Sequence, residues 1–248
     1  MLTAGWSPSR PEQAEIVSRV SARRAELAPA GQCRREISVP SGKISADRRE
    51  TVVVAHLDRE RMHAESLPGW RAWLLENHDK TDGVWLVSWR SVTGKPRVTY
   101  EEAVQEALAV GWVDGPKRTI DEDRSMLWFA RRKPTSAWSR LNKERIARLE
   151  DQRRLLPAGN EAVAVAKANG TWTMLDDVEN LVVPADLDLE LAARPGARER
   201  WDEFPRSARR AMLEWIVQAR TAPTRTKRVN ETAAKAACGE RANQWPRS

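Results

Sequence analysis

Two polar residues sit where an apolar seam is expected. In the stretch "SAWSRLNKERIARL", projected at 100° per residue, Trp138, Asn142, Arg145 and Leu149 fall along one line, flanked by Leu141 and Ile146. Ser139, Lys143, Ala147 and Glu150 face away. An unpaired polar group inside such a stripe costs on the order of 2–7 kcal/mol. Two kinds of chemistry would satisfy Asn142 and Arg145. The first is structural: Asp114, on an upstream strand, is the natural carboxylate partner for Arg145 or Arg131, locking helix to sheet. The second is an anion pocket. Thr135 or Ser136 would cap the helix and leave its positive end free. Arg131, Arg132 and Lys133 arrive on the preceding strand, and Lys117 and Arg118 on its neighbour. Trp112 or Trp138 would supply an apolar wall or stack a ring or base. The candidate anion-binding set is therefore Lys117, Arg118, Arg131, Lys133, Ser136, Trp138, Asn142 and Arg145. Strand alternation puts Arg131 and Lys133 on one face and Arg132 on the other.

Other reactive groups form no comparable pattern. The carboxylates of "DEDR" (Asp121, Glu122 and Asp123) could hold a hard cation but suit a solvated hairpin turn better. His56, His63 and His78 lack metal-ligand spacing, and no metal or cofactor is expected. Nucleophile-elbow, Walker and dinucleotide-binding motifs are absent. Cys33 and Cys238 lie near opposite ends and read as two unrelated reduced thiols.

The elements that must position these groups follow from periodicity and turn chemistry. Trp70, Trp73, Leu74 and Asn77 share a face, which predicts a helix over 67–78. "GVWLVSWR" (83–90) reads as a strand. Thr99 and Glu102 form a capping box opening a helix that turns Tyr100, Val104, Ala107 and Leu108 inward and ends at Gly111. "WVDGPKRTI" and "SMLWFARR" flank "DEDR" as an antiparallel hairpin. Beyond Pro134 helices are expected at 137–152, 158–169, 185–193, 196–203, 206–220 and 224–237, with prolines near their starts. The helix at 206–220 is amphipathic through Ala208, Met212, Trp215, Ile216 and Ala219.

The fold class is α+β: a small antiparallel or mixed sheet with covering helices, followed by a helical C-terminal region. Residues 1–61 read as an extension, disordered or outside the main domain, with a short helix at 12–27 and a lone strand at 51–57. The α+β domain is placed at 62–134, the helical region at 135–238 and a disordered tail at 239–248.

The chain has 248 residues, net charge +7 and a pI near 9.8. That balance favours acidic partners, although the dominance of Arg over Lys also reflects coding bias. No run of about 18 apolar residues suggests a membrane span. The N-terminus shows no secretory signal, so the expected location is the cytoplasm.

"WRAWLLENH", "GVWLVSW", "TYEEAVQEALAVGWVDG", "RRKPTSAWSRLNKERIARL", "LPAGNEAVAVAK" and "LEWIVQARTAPTRTKRV" together resemble the YdeI/OmpD-associated family, also called bacteriocin-protection proteins. The resemblance runs from about Met62 to about Arg241. It implies protection against bacteriocins or envelope stress, and brings no catalytic residues to carry over. The leading expectation is a non-enzymatic cytoplasmic stress or bacteriocin-protection protein that binds an anionic small molecule or a protein partner. The alternatives are a nucleic-acid-binding protein and an enzyme acting on a small anionic metabolite.

Overall fold

The computed structural model describes residues 59–243. The expectations for 1–58 and 244–248, including the helix at 12–27 and the strand at 51–57, lie outside the described residues. Those described form two compact units, 59–182 and 183–243.

The first unit is built on a four-stranded sheet. In chain order it contains β1 (Arg61–His63), α1 (Leu67–Asn77), β2 (Gly83–Trp89), α2 (Tyr100–Ala109), β3 (Trp112–Thr119), β4 (Arg124–Arg131), α3 (Arg140–Asp151), α4 (Pro157–Ala168) and the short α5 (Asp176–Glu179). The strand order is β1-β2-β4-β3, with β1 parallel to β2 and the other pairs antiparallel. This is the expected mixed sheet with covering helices. The helices α3 and α4, grouped by sequence with the C-terminal region, belong to the same compact unit as the sheet.

Alternation along β2 explains how the sheet divides its apolar residues. Val84 and Leu86 join the main core with Trp70, Leu74, Val104, Leu108, Trp112, Phe129, Ile146 and Leu149. Trp85 and Val87 face the other side and cluster with Met126 and Trp128. Each fully buried large apolar side chain contributes about 1.5–3 kcal/mol. Two of these indoles have their polar edge satisfied: Trp70 Nε1 donates to the Ala103 carbonyl and Trp112 Nε1 to that of His78, both at 3.1 Å.

Local signals set the boundaries. Ser66 caps α1, its hydroxyl accepting from the Gly69 amide. The Thr99–Glu102 capping box is present in both directions. Gly111 ends α2 at φ +76°, where a Cβ would sit 2.8 Å from the Ala158 carbonyl oxygen. Three expectations need correction. Tyr100 is half exposed rather than inward, because it is the first residue of α2 and its hydroxyl reaches out to Asp114. Leu141 is also half exposed: it lies 100° round the helix from Asn142, outside the arc shared by Asn142, Arg145, Ile146 and Leu149. And α3 starts at Arg140 rather than 137, because Ser139 is its cap and accepts from the Asn142 amide.

The second unit is helical: α6 (Ala185–Ala192), α7 (Ala197–Glu203), α8 (Arg206–Val217) and α9 (Ala222–Ala237). Leu187, Leu191, Trp201, Met212, Leu213, Ile216 and Ala233 form its buried interior. The Arg225 guanidinium donates to both Asp186 carboxylate oxygens at 2.7 and 3.0 Å, tying α9 to α6. Residues 239–243, assigned by sequence to a tail, are described, and Ala242 is buried. Cys238 is disulfide-bonded, which corrects the expectation of a free thiol there; Cys33 lies outside the described residues.

Candidate functional site

Asn142 and Arg145 do occupy the seam, at 8% and 3% exposure. They are sealed by partners rather than opened to a ligand. Arg145 Nη1 donates to Asn142 Oδ1 at 2.7 Å. Its Nε and Nη2 grip the Glu101 carboxylate at 3.1 and 2.5 Å. Glu101 also accepts from Gln105 at 2.9 Å and from Arg148 at 3.3 Å. Hydrogen bonding from Arg145 holds the Glu101 carboxyl down at about 2 and raises the Arg145 guanidinium above its ordinary value. The expected partner, Asp114, is not the one used. Its carboxylate accepts from the Tyr100 hydroxyl at 2.8 Å, and burial is the main cause that pushes that phenol up. Glu101 was legible: it stands three residues before Val104 and seven before Leu108, on the inward face of α2.

Of the other candidate cations, Arg131 and Lys133 line one cleft and Lys117 another, both in the first unit. Arg131, Arg132, Lys133 and Trp138 line the first, of about 370 Å³, against Ala158, Glu161 and Ala162 of α4. Here the alternation rule fails. The strand ends at Arg131, and a turn closed by the Ser136 amide on the Lys133 carbonyl follows at once. Arg132 therefore reaches the same cleft as its two neighbours. Its guanidinium lies over the Trp138 ring, 3.7 Å from the centroid, and donates from Nη2 to the Ala137 carbonyl. Its Nε and Nη1 are buried and have no hydrogen-bond partner among the described residues. Burial pulls the Arg132 guanidinium down to about 10. Arg131 Nη2 donates to the His78 carbonyl at 3.1 Å. Ser136 is half-buried in the turn and caps no helix.

Lys117 lines the second cleft, of about 360 Å³, with Arg90, Arg97, Tyr100 and several hydroxyl groups. A β-bulge puts it there. Asp114 pairs with Phe129 and Lys117 with Leu127, so three steps on β3 match two on β4. The bulge contains Pro116, which has no amide to donate, on an edge strand. Without it Asp114 and Lys117 would face opposite sides; with it both face the helices. Arg118 is exposed on the hairpin. At the hairpin tip, Asp121 accepts from the Arg124 side chain at 2.8 Å and from the Asp123 and Arg124 amides, a turn-stabilising role. Among the described residues no group of His, Cys, Asp and Glu could hold a metal ion.

Fold and geometry thus define a class first: a mixed-sheet α+β unit bearing two cationic clefts, joined in sequence to a helical unit, with no helix among the described residues long and apolar enough to cross a membrane. Residues 180–239 match the family described as "Bacteriocin-protection, YdeI or OmpD-Associated". Residues 62–162 match a different family, described as a domain of unknown function (DUF8412). The resemblance read from Met62 onward is therefore confined, as a family match, to the C-terminal part. No curated protein and no solved structure matches the chain. Both clefts lie in the unit matched by the family of unknown function.

Proposed function

We propose that the chain is a stress or bacteriocin-protection protein that acts by binding rather than catalysis, and that the first cleft takes an anionic group carried on an apolar or aromatic body. The family match over 180–239 supports the protective role. The observation that carries the binding reading is Arg132. Leaving its Nε and Nη1 buried and unpaired costs about 1–3 kcal/mol. Stacking on Trp138 returns only about 0.5–2 kcal/mol. A folding-only design would omit such a group, and a carboxylate or phosphate would complete it. Arg131 and Lys133 add positive charge at the rim, and Ala158 and Ala162 give the anion's carrier an apolar wall.

The test is titration of the full chain with phenyl phosphate by calorimetry, beside Arg132→Met. The expected result is saturable binding that weakens at least tenfold in the variant, while its thermal unfolding midpoint stays equal or rises. Absence of binding at millimolar phenyl phosphate, or equal affinity in Arg132→Met, would refute the assignment.

A further inference from the structure

The second cleft has a different chemistry. Three cations, Arg90, Arg97 and Lys117, line it and no carboxylate does. The acids nearby are each held by another group, although the Arg97 charge also acts on Glu102. Glu102 is held in the capping box, its carboxylate accepting from the Thr99 amide at 2.9 Å. Asp114 is held by Tyr100 and Asp123 by Lys95 at 3.7 Å. Arg90 is braced by donating from Nη1 to the Glu122 carbonyl at 2.9 Å. Arg97 and Lys117 make no hydrogen bond or ion pair among the described residues. Three positive charges on the wall of one cleft repel one another, and a concave wall concentrates their field. The bulge in β3 is what turns Lys117 into this group, and bulges recur where a strand re-aims a side chain beside a functional site.

Hydroxyl groups fill the rest of the wall. Ser88, Ser91, Thr119 and Ser125 line the cleft, and their side chains have no hydrogen-bond partner among the described residues. Each offers one donor and two acceptor lone pairs. A bare anion would use the cations and leave these hydroxyls to water. A neutral sugar would use the hydroxyls and leave the cations unneutralised. An apolar acid would use the cations and leave the hydroxyls unmet. Leu86 and Leu127 supply an apolar floor of the kind on which the C–H face of a sugar ring packs. We propose that this cleft is a binding site for a small phosphorylated sugar, its phosphate held by Arg97 and Lys117 beside Arg90 and its hydroxyls read by Ser88, Thr119 and Ser125. The volume, about 360 Å³, suits one monosaccharide phosphate. This site is separate from the Arg132 cleft and does not depend on it.

The test is calorimetric titration of the full chain with glucose 6-phosphate, glucose and inorganic phosphate, repeated on the double variant Arg97→Ala/Lys117→Ala and on Arg132→Met. Both replaced side chains of the double variant are exposed, so circular dichroism and the unfolding midpoint should match the parent. The expected result is glucose 6-phosphate binding at least tenfold tighter than either glucose or inorganic phosphate. It is lost in the double variant and kept in Arg132→Met. No binding of glucose 6-phosphate, binding retained in the double variant, or inorganic phosphate binding as tightly as the sugar phosphate would each overturn the proposal.

Discussion

Replacing Glu101 by Gln should weaken the first unit at neutral pH and matter progressively less in acid. Gln keeps the shape and one acceptor but removes the charge that Arg145 and Arg148 hold. The fall of the Glu101 carboxyl from 4.5 to about 2 would, undiscounted, be worth about 3.4 kcal/mol. The Glu101 side chain is 45% exposed, however, so solvent screening reduces this to roughly 1–1.5 kcal/mol. The sign follows from the direction of the shift. A carboxyl whose folded value is depressed stabilises the fold above its unfolded value near 4.5 and loses that contribution as pH drops toward about 2. At pH 3 roughly 40% of the effect should remain. Urea unfolding of parent and Glu101→Gln at pH 7 and pH 3 measures this directly. The two curves should lie apart at pH 7 and draw together at pH 3. A constant gap at both pH values, or none at pH 7, would show that the Glu101–Arg145 pair contributes nothing through charge.

Other substitutions test packing and capping. Gly83→Ala places a Cβ 2.3 Å from the Trp128 ring and 2.8 Å from the Phe129 carbonyl oxygen, so it should cost about 1–3 kcal/mol and lower the thermal midpoint. Thr99→Ala removes the hydroxyl that accepts from the Glu102 amide, and urea unfolding should show a loss of about 1 kcal/mol. Ile146→Ala, at a buried position, should lose about 2–5 kcal/mol in the same assay. Leu141→Ala, on the exposed side of α3, should stay within about 0.5 kcal/mol of the parent.

Much of this architecture was legible because its signals are local. The capping box at Thr99, the Trp-rich strand at 83–89, the polar hairpin turn and the helix-opening prolines each act within a few residues, and each element appears where those residues place it. The burial of Asn142 and Arg145 was legible too, since helical projection needs nothing beyond 100° per residue. What escaped was partner choice and side-chain direction, which arise from the packing of distant segments. Arg145 pairs with Glu101, 44 positions away, because the first turn of α2 abuts α3; Asp114 is instead taken up by Tyr100. Two irregularities then decide where the charges go. The bulge at Gly115–Pro116 shifts the alternation of β3 and delivers Lys117 to the second cleft, while the end of β4 at Arg131 releases Arg132 from alternation and lays it over Trp138. A regular hairpin would have put Lys117 and Arg132 on the opposite faces. The cation clusters are therefore products of the places where the sheet stops being a sheet, and a period-2 reading of the strands has no means of finding them.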